Sequence, residues 1–212
     1  MKICVARTKK EFEEVQSLRY QVNMEELGKE YLFRNSQCDE SKYHVLYASR
    51  NKHVIGSLRC QFTPYSKELH TYWGIREPEF NTKVSVVDRL VVHPAYRHTR
   101  VAFDLTVGIY KQALREGSHI ALIEAEEHLL KMYEKIGFRV YRETHYSYGQ
   151  RFQMYINPWD IDYLRKVRSP FYQEFHNYLK LISSYVHINE TSLSEAKSHQ
   201  NTPNGVLSAG WH

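Results

Sequence analysis

Three cysteines in 212 residues, Cys4, Cys38 and Cys60, are odd in number, and none shares CxxC spacing with another. That excludes a disulfide framework and points to free thiols in a reducing compartment. The 12 histidines are scattered, with no HxxxH and no His/Cys cluster, so no metal is expected. No apolar run has the length of a membrane span, and MKICVARTKK at the start lacks the apolar centre of a signal peptide. There is no internal repeat and no interdomain linker. A one-sided charge is missing too: 29 Lys and Arg are interleaved with 24 Asp and Glu, for a net charge of +5. That mild excess favours a phosphate-bearing or acidic partner. Without a basic face interleaved with exposed aromatics, it does not make a nucleic-acid binder. What remains is a soluble, cytoplasmic chain with 42% apolar residues, enough for one core.

The chain is organised around Lys83 to Gly117. From Val84 to Val92 nearly every residue is β-branched or Leu, the pattern of a strand covered on both faces. Asp88 and Arg89 interrupt it, and a charge on a buried strand must be paired or line a cavity. Pro94 ends the strand. Ala102, Leu105, Ile109 and Ala113 then recur at helical spacing until Gly117 caps the helix. Between them YRHTRVA opens the helix, where free amides with Arg97 and Arg100 suit a phosphate.

Around this centre the pattern predicts a short strand at Lys2 to Ala6, then a helix through about Leu27. Thr8 and Glu11 form its capping box, Phe12, Val15, Leu18 and Val22 its inner stripe, and Arg19 sits half buried on the shoulder of that stripe. A polar and aromatic loop follows. Strands are expected at Tyr43 to Arg50 and His53 to Phe62, with Asn51-Lys52 as a tight hairpin turn. Pro64 to Thr82 reads as an irregular lid. His119 to Ala125 is a strand, Glu127 to Ile136 an amphipathic helix, and Phe138 to Tyr148 and Arg151 to Asn157 two strands meeting at Gly149. Residues 1–158 make the core and 159–188 a helical extension whose greasy stripe includes Phe171 and Phe175. The Ser- and Asn-rich residues 189–212 form an expected disordered tail.

This order, with RLVVHPAYRHTRVA and KMYEKIGFRVY, resembles the GNAT acyltransferases. The resemblance implies an α/β (α+β) fold: a central mixed, mostly antiparallel sheet flanked by helices, here with an added C-terminal helix. It also implies an acyl-phosphopantetheine donor, held along Val91 and Val92 and at Arg97, Arg100, Val101 and Ala102. A backbone amide at a bulge near Val91 and Val92 would hold the thioester oxygen, and Tyr133 would protonate the leaving thiolate. Asp88 is the candidate base, with Glu126 or water as competitors. The bland alternatives are that Tyr133 only fills the core and that Asp88 or Arg89 closes a structural ion pair, such as Arg89 with Glu124.

A narrower resemblance, from Leu18 to about Pro158, is to acyl-homoserine-lactone synthases and long-chain N-acyl amino acid synthases. It rests on LRYQVNMEELG, VIGSLRCQF and VVDRLVVHP, and it places Arg19, Asp39, Arg59 and Arg89 around a small amino-acid acceptor. Arg100 stands where the turn usually has Gly, which favours acyl carrier protein over coenzyme A as donor. Val86 stands where the lactone synthases carry Glu, which weakens that branch. Arg97, Arg100, Lys111 and Arg115 form a rim on which an acidic carrier could dock. TYW and THYSY either line an acyl pocket or pack the sheet. The resemblance therefore implies an N-acyltransferase, monomeric or homodimeric. The alternatives are an acetyl-coenzyme A-dependent acetyltransferase on a small amine or protein, and a non-catalytic regulator that binds carrier protein or lipid.

Overall fold

The computed structural model describes residues 1–29, 42–76 and 78–184. Met1–Phe175 forms one compact unit and His176–His212 a second, of which residues 176–184 are described and helical. Asp39 and the expected tail at 189–212 lie outside the described residues. Among the described residues, no helix is long and apolar enough to cross a membrane, and no group of three or more His, Cys, Asp or Glu is arranged to hold a metal.

In the first unit seven strands form one sheet: β1 (Lys2–Val5), β2 (His44–Arg50), β3 (His53–Pro64), β4 (Lys83–Val92), β5 (Ile120–Ala125), β6 (Arg139–Tyr146) and β7 (Gly149–Ile156). They lie in the order β1-β2-β3-β4-β5-β7-β6. Only β4 and β5 are parallel, as they must be when α3 (Val101–Arg115) carries the chain over the sheet between them. Both central strands are apolar on both sides because helices cover both faces. Val84, Ile120 and Leu122 share a core cluster with Tyr65, Trp73 and Ile75, on the side of α2 (Lys67–Trp73). Val87, Ala121 and Ile123, of the other parity, meet Ile109 and Tyr110 of α3. Tyr110 in turn stacks on Phe171 at 4.1 Å, in the helix that opens at residue 170.

The hairpin turn falls as expected at Asn51 and Lys52, both in the left-handed region at φ 51° and 66°. Gly56 on β3 is required by close approach: a Cβ there would sit 2.6 Å from Val101 Cγ1 at the start of α3. The expected irregular lid at Pro64 to Thr82 is partly wrong. Ser66 caps α2 by accepting from the Leu69 amide, and Gly74 ends it at φ 64°. In Glu127 to Ile136, a 3₁₀ turn at Glu127–Leu129 precedes α4 (Leu130–Ile136). The extension has α5 (Ile161–Lys166) ahead of the helix at 170.

The capping box of α1 (Lys9–Tyr20) is formed. Glu11 Oε2 accepts from the Arg7 and Thr8 amides, both at 2.9 Å, and Oε1 accepts from the Tyr47 hydroxyl at 2.7 Å. The Arg7 amide bond first, then Tyr47 and Thr8, lower the Glu11 carboxyl from 4.5 to about 2. A depressed carboxylate stabilises the fold above its unfolded value and loses that contribution as pH falls through the folded one. The melting temperature therefore drops between pH 4.5 and about 2. In Glu11→Gln, which keeps the capping geometry without the titration, this component of the drop disappears, as thermal unfolding across that window will read. The helix does not run unbroken to Leu27: it passes at Gln21–Glu26 into a π turn.

Candidate active site

The parallel pair is short. Val84 to Val87 pair with Ile120 to Ile123, and there the two strands part. Beyond it β4 runs on to Val92 against β3 alone, while Glu124 and Ala125 pair with β7. At the parting β4 bulges: Ser57 faces Val91 and Arg59 faces Asp88, so Arg89 and Leu90 together oppose Leu58. Arg89 is left-handed at φ 54°, a conformation that costs a non-glycine residue free energy and needs support from its surroundings. The expected bulge near Val91 and Val92 thus lies slightly earlier. Its position resets the alternation of β4, which is how the adjacent Asp88 and Arg89 come to line the same cleft.

Of the two strand residues expected to hold the donor, Val91 and Val92, only Val92 turns its backbone to the parting. The His93 amide donates to the Ile55 carbonyl, toward β3, at 3.0 Å, so by alternation the groups of Val92 point away and those of Val91 point back to β3. The Val92 carbonyl accepts from Arg97 Nε at 3.3 Å.

The cleft has a volume of about 590 Å³ and gathers Arg19, Arg59, Asp88, Arg89, Val91 and Tyr133 in one place. It also contains residues that sequence reasoning did not assign to it: Asn23, Leu69, Leu129 and Arg151. Glu124 and Tyr72 line it as well. Arg19 is buried rather than half buried, at the end of a stripe in which Leu18 and Val22 pack on Val91, and its Nε donates to Ser57 Oγ at 3.3 Å. Asp88 does close an ion pair, but with Arg59. Arg59 Nε donates to Oδ1 at 2.7 Å and Nη2 to Oδ2, while the guanidinium lies 4.0 Å over the Tyr43 ring. Each Asp88 oxygen accepts one bond of this fork.

Glu126, the other carboxylate considered as base, accepts from Lys29 Nζ at 2.6 Å and lies 3.2 Å from Arg151 Nη2. Burial raises its carboxyl, but the bond and charge of Lys29, then Arg151 and His128, leave it lowered overall. Among the described residues Glu124 has no cationic partner of this kind. Its Oε1 accepts from the Tyr146 hydroxyl and from Gln153 Nε2, each at 2.8 Å. Tyr133 is buried, edge-on to Phe138 at 5.7 Å, and burial pushes its phenol up to about 12. Behind it an apolar space of about 20 Å³ has room for about one water molecule, not an acyl chain.

The basic turn is less open than expected. Arg97 makes a bidentate bond to Glu26 (Nη2 to Oε2 at 2.7 Å), Arg100 reaches Asp104 at 3.2 Å, and Lys111 reaches Glu174 at 2.8 Å. The Val101 amide donates to Thr99 Oγ1 at 3.4 Å, and the Ala102 carbonyl accepts from Thr106. Arg100 has its backbone at φ −77° and is the N-cap residue of α3, without a capping side-chain bond.

A mixed sheet whose single parallel pair opens beside a phenol and a bulged strand defines the GNAT class of acyltransferase. The chain belongs to that family: its residues 13–156 match the acetyltransferase (GNAT) domain. Solved structures agree on the fold. An acyl-CoA N-acyltransferase from Pseudomonas aeruginosa is 19% identical and aligns with TM-score 0.58 over 73% of this chain and 97% of its own. The CoA-dependent acyl-homoserine lactone synthase BjaI, solved with SAM and isopentyl-CoA, is 16% identical at TM-score 0.58, over 79% and 89%. An aminoglycoside 6'-N-acetyltransferase complexed with coenzyme A is 11% identical at TM-score 0.54, over 74% and 97%. Among curated protein sequences none gives a significant match.

Proposed function

We propose that the protein transfers a fatty acyl group from the phosphopantetheine thioester of acyl carrier protein to the amine of an amino acid. The observation that carries this reading is the parting of β4 from β5 after Val87, with Tyr133 and three arginines, Arg19, Arg59 and Arg89, on one cleft. In it the pantetheine arm adds to the open edge of β4 as a further strand would, and the Val92 amide donates to the thioester oxygen. The acyl tail lies along Leu69, Trp73, Val86 and Leu129. Arg19 and Arg89 take the acceptor's carboxylate, with Arg59 held in place by Asp88. Asp39 is the expected partner of the acceptor's ammonium group.

Chemically, the attacking nitrogen must lose a proton and the departing sulfur must gain one. Tyr133 supplies the second. For the first, Glu124 replaces Asp88 in this reading, because its hydrogen-bond donors, Tyr146 and Gln153, are neutral, whereas Arg59 is forked onto Asp88 and Lys29 and Arg151 hold Glu126. A carrier donor, which lacks the terminal nucleotide of coenzyme A, is favoured by Arg100 standing where the turn usually has Gly. Docking a carrier on the same rim requires exchanging surface ion pairs worth only about 0–1 kcal/mol each.

A second reading, acetyl transfer from acetyl-coenzyme A to a small amine, is supported by the family match. Incubation of the protein with acyl carrier protein thioesters, long-chain acyl-coenzyme A or acetyl-coenzyme A, each with an amino-acid mixture, separates the two. Mass spectrometry should find N-acyl amino acids, formed fastest from the carrier thioester. Product from acetyl-coenzyme A alone would favour the second reading, and no N-acyl product from any donor would leave a binding module.

A further inference from the structure

We propose that Tyr146 and Tyr72 form a proton exit leading from Glu124 in the cleft to solvent on the far side of the sheet's β6 edge. The inference rests on the acyl-transfer reading, since only a group that gains a proton in every turnover needs a way to lose it.

The three oxygens form a continuous chain. Tyr146 Oη lies 2.8 Å from Glu124 Oε1, and the Tyr146 and Tyr72 hydroxyls are 3.1 Å apart. A phenol has one proton to give, so while Tyr146 donates to Glu124, the bond between the phenols is donated by Tyr72. Glu124 and Tyr72 line the cleft, whereas Tyr72 and Tyr146 line a separate, open surface cavity of about 750 Å³ with Glu68, Arg142 and His145. Tyr72 lines both spaces, so the chain leads from the cleft to the more open cavity, and this outer member is 46% exposed.

Neighbouring groups hold this line in place. Gln153, fully buried, gives its amide to Glu124 while its carbonyl accepts from Arg142 Nε at 2.7 Å. That donor fixes which end of the Gln153 amide faces Glu124. Arg142 also donates to the backbone carbonyl of Tyr72, and Tyr141 to that of Trp73 at 2.9 Å, so β6 holds α2 against the relay. Burial first, then the bond to Tyr146 and the charge of Glu124, raise the Tyr72 phenol, so it stays protonated at neutral pH. The other carboxylates of the cleft lead to guanidinium and ammonium groups, which have no lone pair with which to receive a proton.

The step balances. The amine's proton goes to Glu124 as the C–N bond forms, the C–S bond breaks as Tyr133 gives its proton to sulfur, and the Tyr133 phenolate regains a proton from water that enters the emptied cleft, matching the one released through Tyr72. Each phenolic O–H then turns once, and Glu124 passes its proton to Tyr146 Oη as Tyr146 passes its own to Tyr72 Oη and Tyr72 releases one to water. Both phenols end neutral.

Tyr72→Phe and Tyr146→Phe test the relay in steady-state assays with the donor and acceptor that give product, in a bulky zwitterionic buffer and with added imidazole. We expect kcat to fall about tenfold in each variant while both KM values stay within about twofold. Imidazole, entering from the surface cavity, should restore Tyr72→Phe saturably, should not restore Tyr146→Phe, and should leave the wild type unchanged. Tyr72→His, which keeps a proton-carrying ring, should retain more of kcat than Tyr72→Phe. Wild-type kcat in Tyr72→Phe, a loss expressed only in KM, or a loss that imidazole does not relieve would overturn the relay and leave the acyl-transfer reading standing. Absence of N-acyl product from the wild type would remove both.

Discussion

Tyr133→Phe is expected to slow acyl transfer by about two to three orders of magnitude in kcat while leaving fold and donor binding intact, since a positioned general acid contributes roughly 10²–10⁴. The phenol lines the cleft beside the parting of β4 and β5, and burial holds its value up to about 12, so it carries a proton throughout the physiological range. A thiolate departing without that proton leaves a negative charge in a largely apolar corner. Phenylalanine keeps the ring and its edge-on contact with Phe138, so the urea midpoint should scarcely move. Because an acid is lost only as pH rises through its own value, the wild-type enzyme should show no alkaline decline from this group below about pH 10. Calorimetric binding of the thioester alongside turnover makes the distinction. If kcat stays within threefold of wild type, Tyr133 is a core residue and the sulfur finds its proton elsewhere.

Breaking the fork between Arg59 and Asp88 is the costliest single change expected for stability. Arg59's side chain is 7% exposed and Asp88's 43%, so the two halves are unequal. Asp88→Ala takes a carboxylate partner away from a buried guanidinium. Removing one partner of a buried pair costs about 3–5 kcal/mol, which we discount to about 2–3 because water screens the exposed carboxylate. Arg59→Met leaves a carboxylate that water can reach and should cost less, about 1 kcal/mol. The double variant should recover much of the Asp88→Ala loss, because a methionine needs no counter-charge. A coupling of about 1–3 kcal/mol in a urea-unfolding cycle is the expected result. Additive losses would mean that the fork does not hold the site together.

The sequence reading and the structure agree where the information is local. Alternation and punctuation located β2, β3 and their turn at Asn51-Lys52, and the spacing of Leu105, Ile109 and Ala113 located α3. The helix α2 escaped because it is only seven residues long and aromatic at its end, although Ser66 and Gly74 mark both of its termini. The arginines were legible by resemblance. The partnership of Asp88 with Arg59 was not, because it depends on the β3–β4 register and on a bulge that no residue type announces. Glu124 had a visible signal, one acid in the apolar run IALIEA. Its companions did not, because residues 72, 146 and 153 reach it only through the exchange of β6 and β7 in strand order. The tyrosines of TYW and THYSY were noticed, but not their contact.

The π turn at Gln21–Glu26 has a consequence for how this chain tolerates change. It ends one residue before Leu27, and on either side of that residue Glu26 holds Arg97 beyond β4, while Lys29 holds Glu126 beyond β5. A π turn carries one residue more than an α turn, so deleting one of its six lets the segment rewind as α-helix with the downstream chain near its present phase. Adding a residue would instead rotate the downstream chain by about 100° and pull both tethers off their targets together. The stretch therefore tolerates a lost residue better than a gained one.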